Sequence, residues 1–324
     1  QRLLIPNNIH CPLKSGFVLQ RDQTFLFSTK NKMLTLSPVI AGCMKWGQWG
    51  VKYSTPQYLQ LIEECIAANI TSFDHADIYG DYTVEEEFGK ALKLKPRLRQ
   101  QIQLITKCGI RRFTPNRPEH KINYYDTSKE HIIASAERSL MNLNTDHIDL
   151  LFIHRPDPLM DPQEIAEAFS QLKKAGKVLH VGVSNFTPSQ IDMMITAFKI
   201  EFNQLEVSVL HLDPFHDGSL DKCIEHNIRP MSWGPMGSGK LYDDETDERN
   251  IRILAVANML AEKHNCSADQ ILLAFLFKHP SGIIPVIGST KIERLRAAHA
   301  AAKINIEREE WFMLWRASKG HEIP

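Results

Sequence analysis

Eight short apolar runs, each followed by a pattern of helical period, constrain this chain more than any other feature. The runs are Val39 to Gly42, Ile70 to Asp74, Ile102 to Lys107, Ile148 to His154, Val178 to Ser184, Phe202 to Gln204, Ile228 to Ser232 and Ile283 to Ile287. Between them apolar residues recur at helical spacing, as in Tyr58, Ile62, Cys65 and Ile66, or Ile165, Ala168, Phe169 and Leu172, with polar residues on the other faces. Each helix can cover one side of a strand pair. Strands that alternate with helices pair in parallel, because each right-handed crossover returns the chain to the same edge.

Eight such units within 324 residues match an α/β fold of one kind, a closed (β/α)8 TIM barrel. A doubly wound open sheet is the competitor. The segment before Val39, with Phe17 to Leu19 and Thr24 to Phe27, reads as an N-terminal β-hairpin that plugs the bottom of the barrel. The closing stretch Arg308 to Ser318, with Trp311, Phe312, Leu314 and Trp315, reads as a packed C-terminal helical segment. No interior stretch is rich in Pro, Gly and Ser, so residues 1–324 read as one barrel domain with residues 1–38 as its extension.

Charge excludes several function classes. Lys plus Arg and Asp plus Glu are equal at 38 each, so no global field draws in nucleic acid or an anionic membrane. No apolar run approaches the roughly 18 residues that a membrane-crossing helix needs. The six cysteines are widely scattered without a C-x-x-C pair, which argues against a disulfide framework and a structural zinc site. Reduced thiols and a cytoplasmic location are the expectation. Sequons at Asn69, Asn185 and Asn265 read as accidental, and Met33 is a candidate internal start in a chain that opens on Gln1.

In parallel barrels chemistry gathers at the C-terminal ends of the strands. The polar residues there are Asp74, Lys107, His154, Ser184 with Asn185, Gln204, and Ser232 with Trp233. Charge on an otherwise apolar strand is costly unless it faces a partner or a site. Tyr79 follows Asp74 by five residues, and in a barrel Asp74, Tyr79, Lys107 and His154 can meet in one cavity. A Tyr hydroxyl near pKa 10 is a poor proton donor at neutrality, and a nearby ammonium lowers it. Lys107 supplies that ammonium, Asp74 holds it ionised, and His154 orients a carbonyl oxygen.

These residues stand in strings that resemble the aldo-keto reductase superfamily. The strings are Asp74-His-Ala-Asp-Ile-Tyr79-Gly, Ile105-Thr-Lys107-Cys-Gly, Leu151-Phe-Ile-His154-Arg-Pro-Asp, Gly182-Val-Ser184-Asn185-Phe and Pro285-Val-Ile-Gly-Ser289. The likeness runs from about Val39 to Leu295 in the family's order, and His154 to Met160 resembles a bacterial oxidoreductase branch. It implies an NAD(P)H-dependent enzyme that reduces an aldehyde or ketone, with the tetrad at Asp74, Tyr79, Lys107 and His154 and Tyr79 as general acid. The cofactor implied is NADPH/NADP, bound extended, and the partner a small carbonyl substrate; oligomeric state is left open.

The resemblance also implies cofactor contacts. Ser184, Asn185 and Gln204 would bind the nicotinamide carboxamide, and Trp233 would stack on its ring. Gly234, Met236, Gly237 and Gly239 would fold over the pyrophosphate, and Ser289, Lys291 and Arg294 would meet the adenosine 2′-phosphate. The sequence departs from the common pattern at Gly288, where many members have Lys, and at Met44, where many have an aromatic. Above the nicotinamide, Trp46, Tyr82, the loop from Arg111 to Asp126 and the C-terminal segment are expected to form the substrate pocket.

Rival readings have specific defects. Gly234 to Lys240 starts like a phosphate-binding P-loop, but Leu241 replaces the Ser or Thr that holds magnesium. His75 and Asp77 lack the second histidine of a barrel zinc site. A rival of another class is a cofactor-sensing regulatory binding subunit built on the same barrel.

Overall fold

A computed structural model describes residues 34–244 and 246–324. The expected hairpin over Phe17 to Leu19 and Thr24 to Phe27 lies outside the described residues. Each of the eight apolar runs coincides with a strand, three of which extend one or two residues further: β1 (Ile40–Gly42), β2 (Ser72–Asp74), β3 (Gln103–Cys108), β4 (Ile148–Ile153), β5 (Val178–Ser184), β6 (Phe202–Glu206), β7 (Arg229–Trp233) and β8 (Ile284–Ile287). They close in the order β1-β8-β7-β6-β5-β4-β3-β2. All pairs are parallel, and closure rests on Ile40 opposite Val286 and Ala41 opposite Phe73.

Many of the helices form where the sequence supplies a start signal. Four of them begin with a capping box: α1 (Thr55–Ala67), α5 (Pro188–Ile195), α8 (Ala268–Phe277) and the helix Arg308–Lys319. Gln57, Gln190 and Gln270 reach back to the backbone N–H of Ser54, Thr187 and Ser267, which satisfies donors that have no partner within the helix. An Asp caps α4 (Pro162–Lys174) and α7 (Glu248–His264), Asp161 and Asp247 respectively. The remaining layer is α2 (Val84–Leu94), α3 (Lys129–Asn142), α6 (Ser219–Glu225), α9 (Ile292–Ala301) and α10 (Arg308–Lys319).

Two layers of apolar packing follow. Inside the barrel, Ile40, Ile105, Leu150, Phe152, Phe202, Met231, Ile284 and Val286 make one buried cluster. Gly182 on β5 makes room for it, since a Cβ there would stand 2.6 Å from the Phe152 ring and 2.7 Å from the Phe202 carbonyl oxygen. Outside, the helices cover the strands; Trp311 of α10 stacks on Phe275 of α8 at 4.6 Å and donates its indole N–H to the Phe275 carbonyl at 2.9 Å. The C-terminal segment is a packed helix, as its pattern predicts. One element is absent from the sequence reading: Ile110–Arg111 pairs antiparallel with Tyr124–Tyr125 and turns the long loop into a ribbon. No helix among the described residues is long and apolar enough to cross a membrane.

Candidate active site

Register brings the charged residues together. Asp74 ends β2 opposite Ile105, an interior residue, and Lys107 lies two positions on, facing the same way. Lys107 Nζ donates to Asp74 Oδ2 at 2.7 Å, to the His75 carbonyl at 2.7 Å and to the Tyr79 hydroxyl oxygen at 3.1 Å. All three protons of the ammonium are thereby used. The pair is almost wholly buried, with side-chain exposures of 1% and 4%. His154 follows the last residue of β4, and its ring meets Tyr79 edge-on at 6.1 Å.

Burial pulls the Lys107 ammonium down, yet Asp74 and Tyr79 outweigh it and the group is held above its usual range. Burial pushes the Tyr79 hydroxyl up, and the lowering by Lys107 does not overcome it, partly because Asp74 also raises it. This corrects the expectation that Lys107 brings Tyr79 below 10. Burial, then Lys107, then Arg155 hold His154 well below 6.5, so its imidazole is neutral. Its Nδ1 is buried without a partner.

Above the four residues opens a cavity of about 680 Å³, within the usual size of a small-molecule site. Asp74, Tyr79, His154, Ser184, Asn185, Gln204 and Trp233 all line it, whereas Lys107 is sealed beneath. Gln204 Nε2 donates to Asp74 Oδ1 at 3.0 Å. Asn185 donates to Ser184 Oγ at 2.8 Å and accepts from Trp233 Nε1 at 2.8 Å. Asn185 adopts a left-handed backbone, φ +61°, which its type tolerates. Gly234, Met236, Gly239, Ser289 and Arg294 also line the cavity.

Several expected residues lie elsewhere. Gly237 sits behind the wall, where a Cβ would meet Leu210 at 2.5 Å, so packing explains it. Lys291 is exposed beside the N-terminus of α9 and outside the cavity lining. Trp46 is fully buried against Tyr58, Phe73 and Phe88, and Trp49 takes the pocket position instead. Of the Arg111 to Asp126 loop only Arg112 reaches the wall, Tyr82 does not, and no residue of the C-terminal segment does. The sequence reading missed Trp49 and Arg155 as pocket residues. Arg155 stands next to His154, a signal open to use, and its guanidinium lies 5.6 Å from the Trp233 ring centre. Among the described residues no cluster of His, Cys, Asp and Glu could hold a metal.

Fold and site together define a parallel barrel enzyme with a lysine-supported tyrosine at the C-terminal ends of its strands. The chain belongs to the aldo/keto reductase family, whose family model matches residues 38–318, and is an oxidoreductase. It is 47% identical over 294 residues to an uncharacterized oxidoreductase, YcsN, of Bacillus subtilis, covering 90% of this chain and 97% of that one. It is 37% identical to a 6-dehydroglucose reductase of Agrobacterium fabrum, covering 90% and 97%. An aldo/keto reductase from Klebsiella pneumoniae, solved with NADP and acetate, has the same fold at a TM-score of 0.71 and 24% identity, covering 86% and 91%.

Proposed function

We propose that this protein reduces the carbonyl group of a small aldehyde or ketone to an alcohol, with Tyr79 as general acid and NADPH as reductant. The observation that carries this is the single ammonium of Lys107 bonded at once to Asp74 and to the Tyr79 hydroxyl. Bound NADPH supplies the hydride. Tyr79 supplies the proton: its raised pKa keeps the hydroxyl loaded at neutral pH. As the proton leaves for the carbonyl oxygen, the ammonium 3.1 Å away stabilises the charge left on the phenolate. Neutral His154, with Nδ1 buried and unpartnered, has Nε2 to donate to the same carbonyl oxygen and orient it.

The residues present fit the cofactor. Gly234 and Gly239 have φ +60° and +97°, conformations that permit close backbone approach to a phosphate, and a Cβ on Gly288 would meet nothing within 4 Å. Exposed Arg294 lines the cavity with no carboxylate partner among the described residues, beside the N-terminus of α9. Ser184, Asn185, Gln204 and Trp233 are the groups available to the nicotinamide end. Met44, Trp49, Ile78, Ile110, Arg112 and Arg155 line the remaining wall, which we assign to substrate.

The test is NADPH absorbance against a carbonyl panel, with NADH in parallel. The likeness to a 6-dehydroglucose reductase puts a sugar-derived aldehyde on that panel. Wild type consumes NADPH, and Tyr79→Phe loses about 10²- to 10⁴-fold in turnover while still binding NADPH. Near-wild-type turnover in that variant removes Tyr79 from the chemistry. A chain that binds NADPH and turns over no carbonyl favours the cofactor-sensing role.

A further inference from the structure

Tyr79 leads directly into three successive residues of left-handed backbone: Gly80 at φ +59°, Asp81 at +56° and Tyr82 at +72°. Residues with a Cβ rarely adopt this conformation, because the Cβ crowds the following carbonyl oxygen. Only the first of the three is glycine. The other two need outside support, and such strain is most often found beside functional groups.

The ribbon Ile110–Arg111 with Tyr124–Tyr125, and the loop it closes, supplies that support. Arg112 Nε pairs with Asp81 Oδ1 at 2.8 Å, and Asn116 Nδ2 donates to the Asp81 carbonyl at 2.8 Å. The Arg112 backbone N–H donates to the Tyr82 hydroxyl at 2.8 Å, and the Arg117 guanidinium lies over the Tyr82 ring at 4.5 Å. The Arg112 guanidinium also lies over Trp49 at 4.9 Å, and Trp49 meets Tyr79 edge-on at 6.1 Å. The contacts form a circuit from Tyr79 through Asp81, Arg112 and Trp49 back to Tyr79.

We propose that Asp81 and Arg112 are a positioning pair for Tyr79, fixing the left-handed turn and so the aim of the hydroxyl that donates the proton. The proposal rests on Tyr79 being the general acid. Its signature is an asymmetry between rate and stability. An ion pair with side chains 41% and 19% exposed contributes little to stability, whereas misplacing a reacting group by about 1 Å can cost on the order of 10²-fold in rate.

The experiment uses the full chain with NADPH and 4-nitrobenzaldehyde, and compares Asp81→Asn, Arg112→Met, Arg112→Lys and the double variant Asp81→Asn with Arg112→Met. Asn keeps the shape of Asp and tolerates the left-handed region, so it tests the charge alone. Asp81→Asn and Arg112→Met are expected to lose roughly tenfold in kcat, with the solvent isotope effect on kcat increased because proton transfer is slowed. The NADPH dissociation constant, read by tryptophan fluorescence, and the thermal midpoint stay near wild type. Arg112→Lys recovers part of the rate, and the double variant is no worse than either single, since both break one pair. Unchanged kcat in the singles, losses that multiply in the double, or a loss confined to KM overturns the positioning role. A wild type that consumes no NADPH with any aldehyde removes the Tyr79 reading itself; an active wild type with unaffected variants removes only the pair.

Discussion

Gln204 on β6 donates its side-chain N–H to Asp74 Oδ1 on β2 at 3.0 Å, across 130 positions of sequence. The other oxygen, Oδ2, accepts from Lys107, so the carboxylate is held from two sides. A buried charge pair is stable only when its remaining lone pairs are also satisfied, and Gln204 does this for Asp74. Gln204 therefore does more than line the cavity. It fixes the geometry of the ion pair that supports Tyr79, and it leaves Oε1 without a protein partner among the described residues.

NADPH is expected to bind more tightly than NADH, with Arg294 rather than Lys291 as the cause. Arg294 lines the cavity and Lys291 does not. One charge-assisted hydrogen bond is worth about 1.5–3 kcal/mol, or roughly tenfold to hundredfold in affinity. Arg294→Ala should lose about that factor for NADPH, keep NADH binding, and show a weaker salt dependence for NADPH. Equal weakening of both cofactors in a fluorescence titration would assign Arg294 to the fold.

Asp77 is buried, and its carboxyl is pushed up from 3.8 to about 7, by burial first and by Glu85, against the hydrogen bond from Ser135. Because the folded pKa is the higher one, unfolding releases a proton between pH 4 and 7. Stability is thus fully present below about 4 and falls as pH rises through 7. Asp77→Asn has no such proton and keeps an acceptor for Ser135, 2.6 Å away in the wild type. Relative to wild type it should gain with rising pH, by at most about 4 kcal/mol at pH 7.5. Urea denaturation at pH 4.5 and 7.5 measures this, and a pH-independent difference would count against it.

His75 titrates in the opposite sense. Burial, with Lys107 adding to it, lowers its pKa to about 3, and both ring nitrogens lack partners while the ring meets Phe88 edge-on at 4.5 Å. Unfolding therefore takes up a proton below about 6.5, so the stability present above that value is lost as pH falls toward 3. His75→Phe preserves the ring and removes the proton. Between pH 7 and 5 wild type should lose about 2 kcal/mol relative to the variant. Parallel melting curves at both pH values would refute it.

Gly182→Ala should destabilise the barrel. The added methyl would stand 2.7 Å from the Phe202 carbonyl oxygen, a backbone atom that cannot turn aside, and 2.6 Å from the Phe152 ring. Overpacking of a close-packed interior typically costs about 1–3 kcal/mol. The midpoint in urea is the measurement, and an unchanged midpoint would show that the barrel widens there without strain.

The barrel was legible in the sequence because its signal is local and repeated. Strands buried on both faces read as short apolar runs, and the helices between them carry the 3.6 period and their own caps. The Asp74, Tyr79, Lys107 and His154 set was legible for a related reason. Polar residues at the ends of apolar runs must meet a partner or a site, and a closed parallel sheet puts all those ends on one face.

What the sequence left open depends on direction and environment. Trp46 and Trp49 are the same residue type three positions apart, and only packing sends the first into the core and the second to the pocket wall. Gly237 and Lys291 lie in the expected loops but outside the cavity lining. The Tyr79 pKa required the balance between burial and a charge 3.1 Å away, and that distance exists only in the folded chain. The left-handed turn after Tyr79 and the ribbon that grips it are tertiary facts, because Asp81 and Arg112 are neighbours only once β2 and β3 have paired. Composition and periodicity determine which elements form and on which face their ends gather. Side-chain aim, hydrogen-bond partners and proton affinities are decided by packing between elements far apart in sequence, where distances of a few ångströms set the energy.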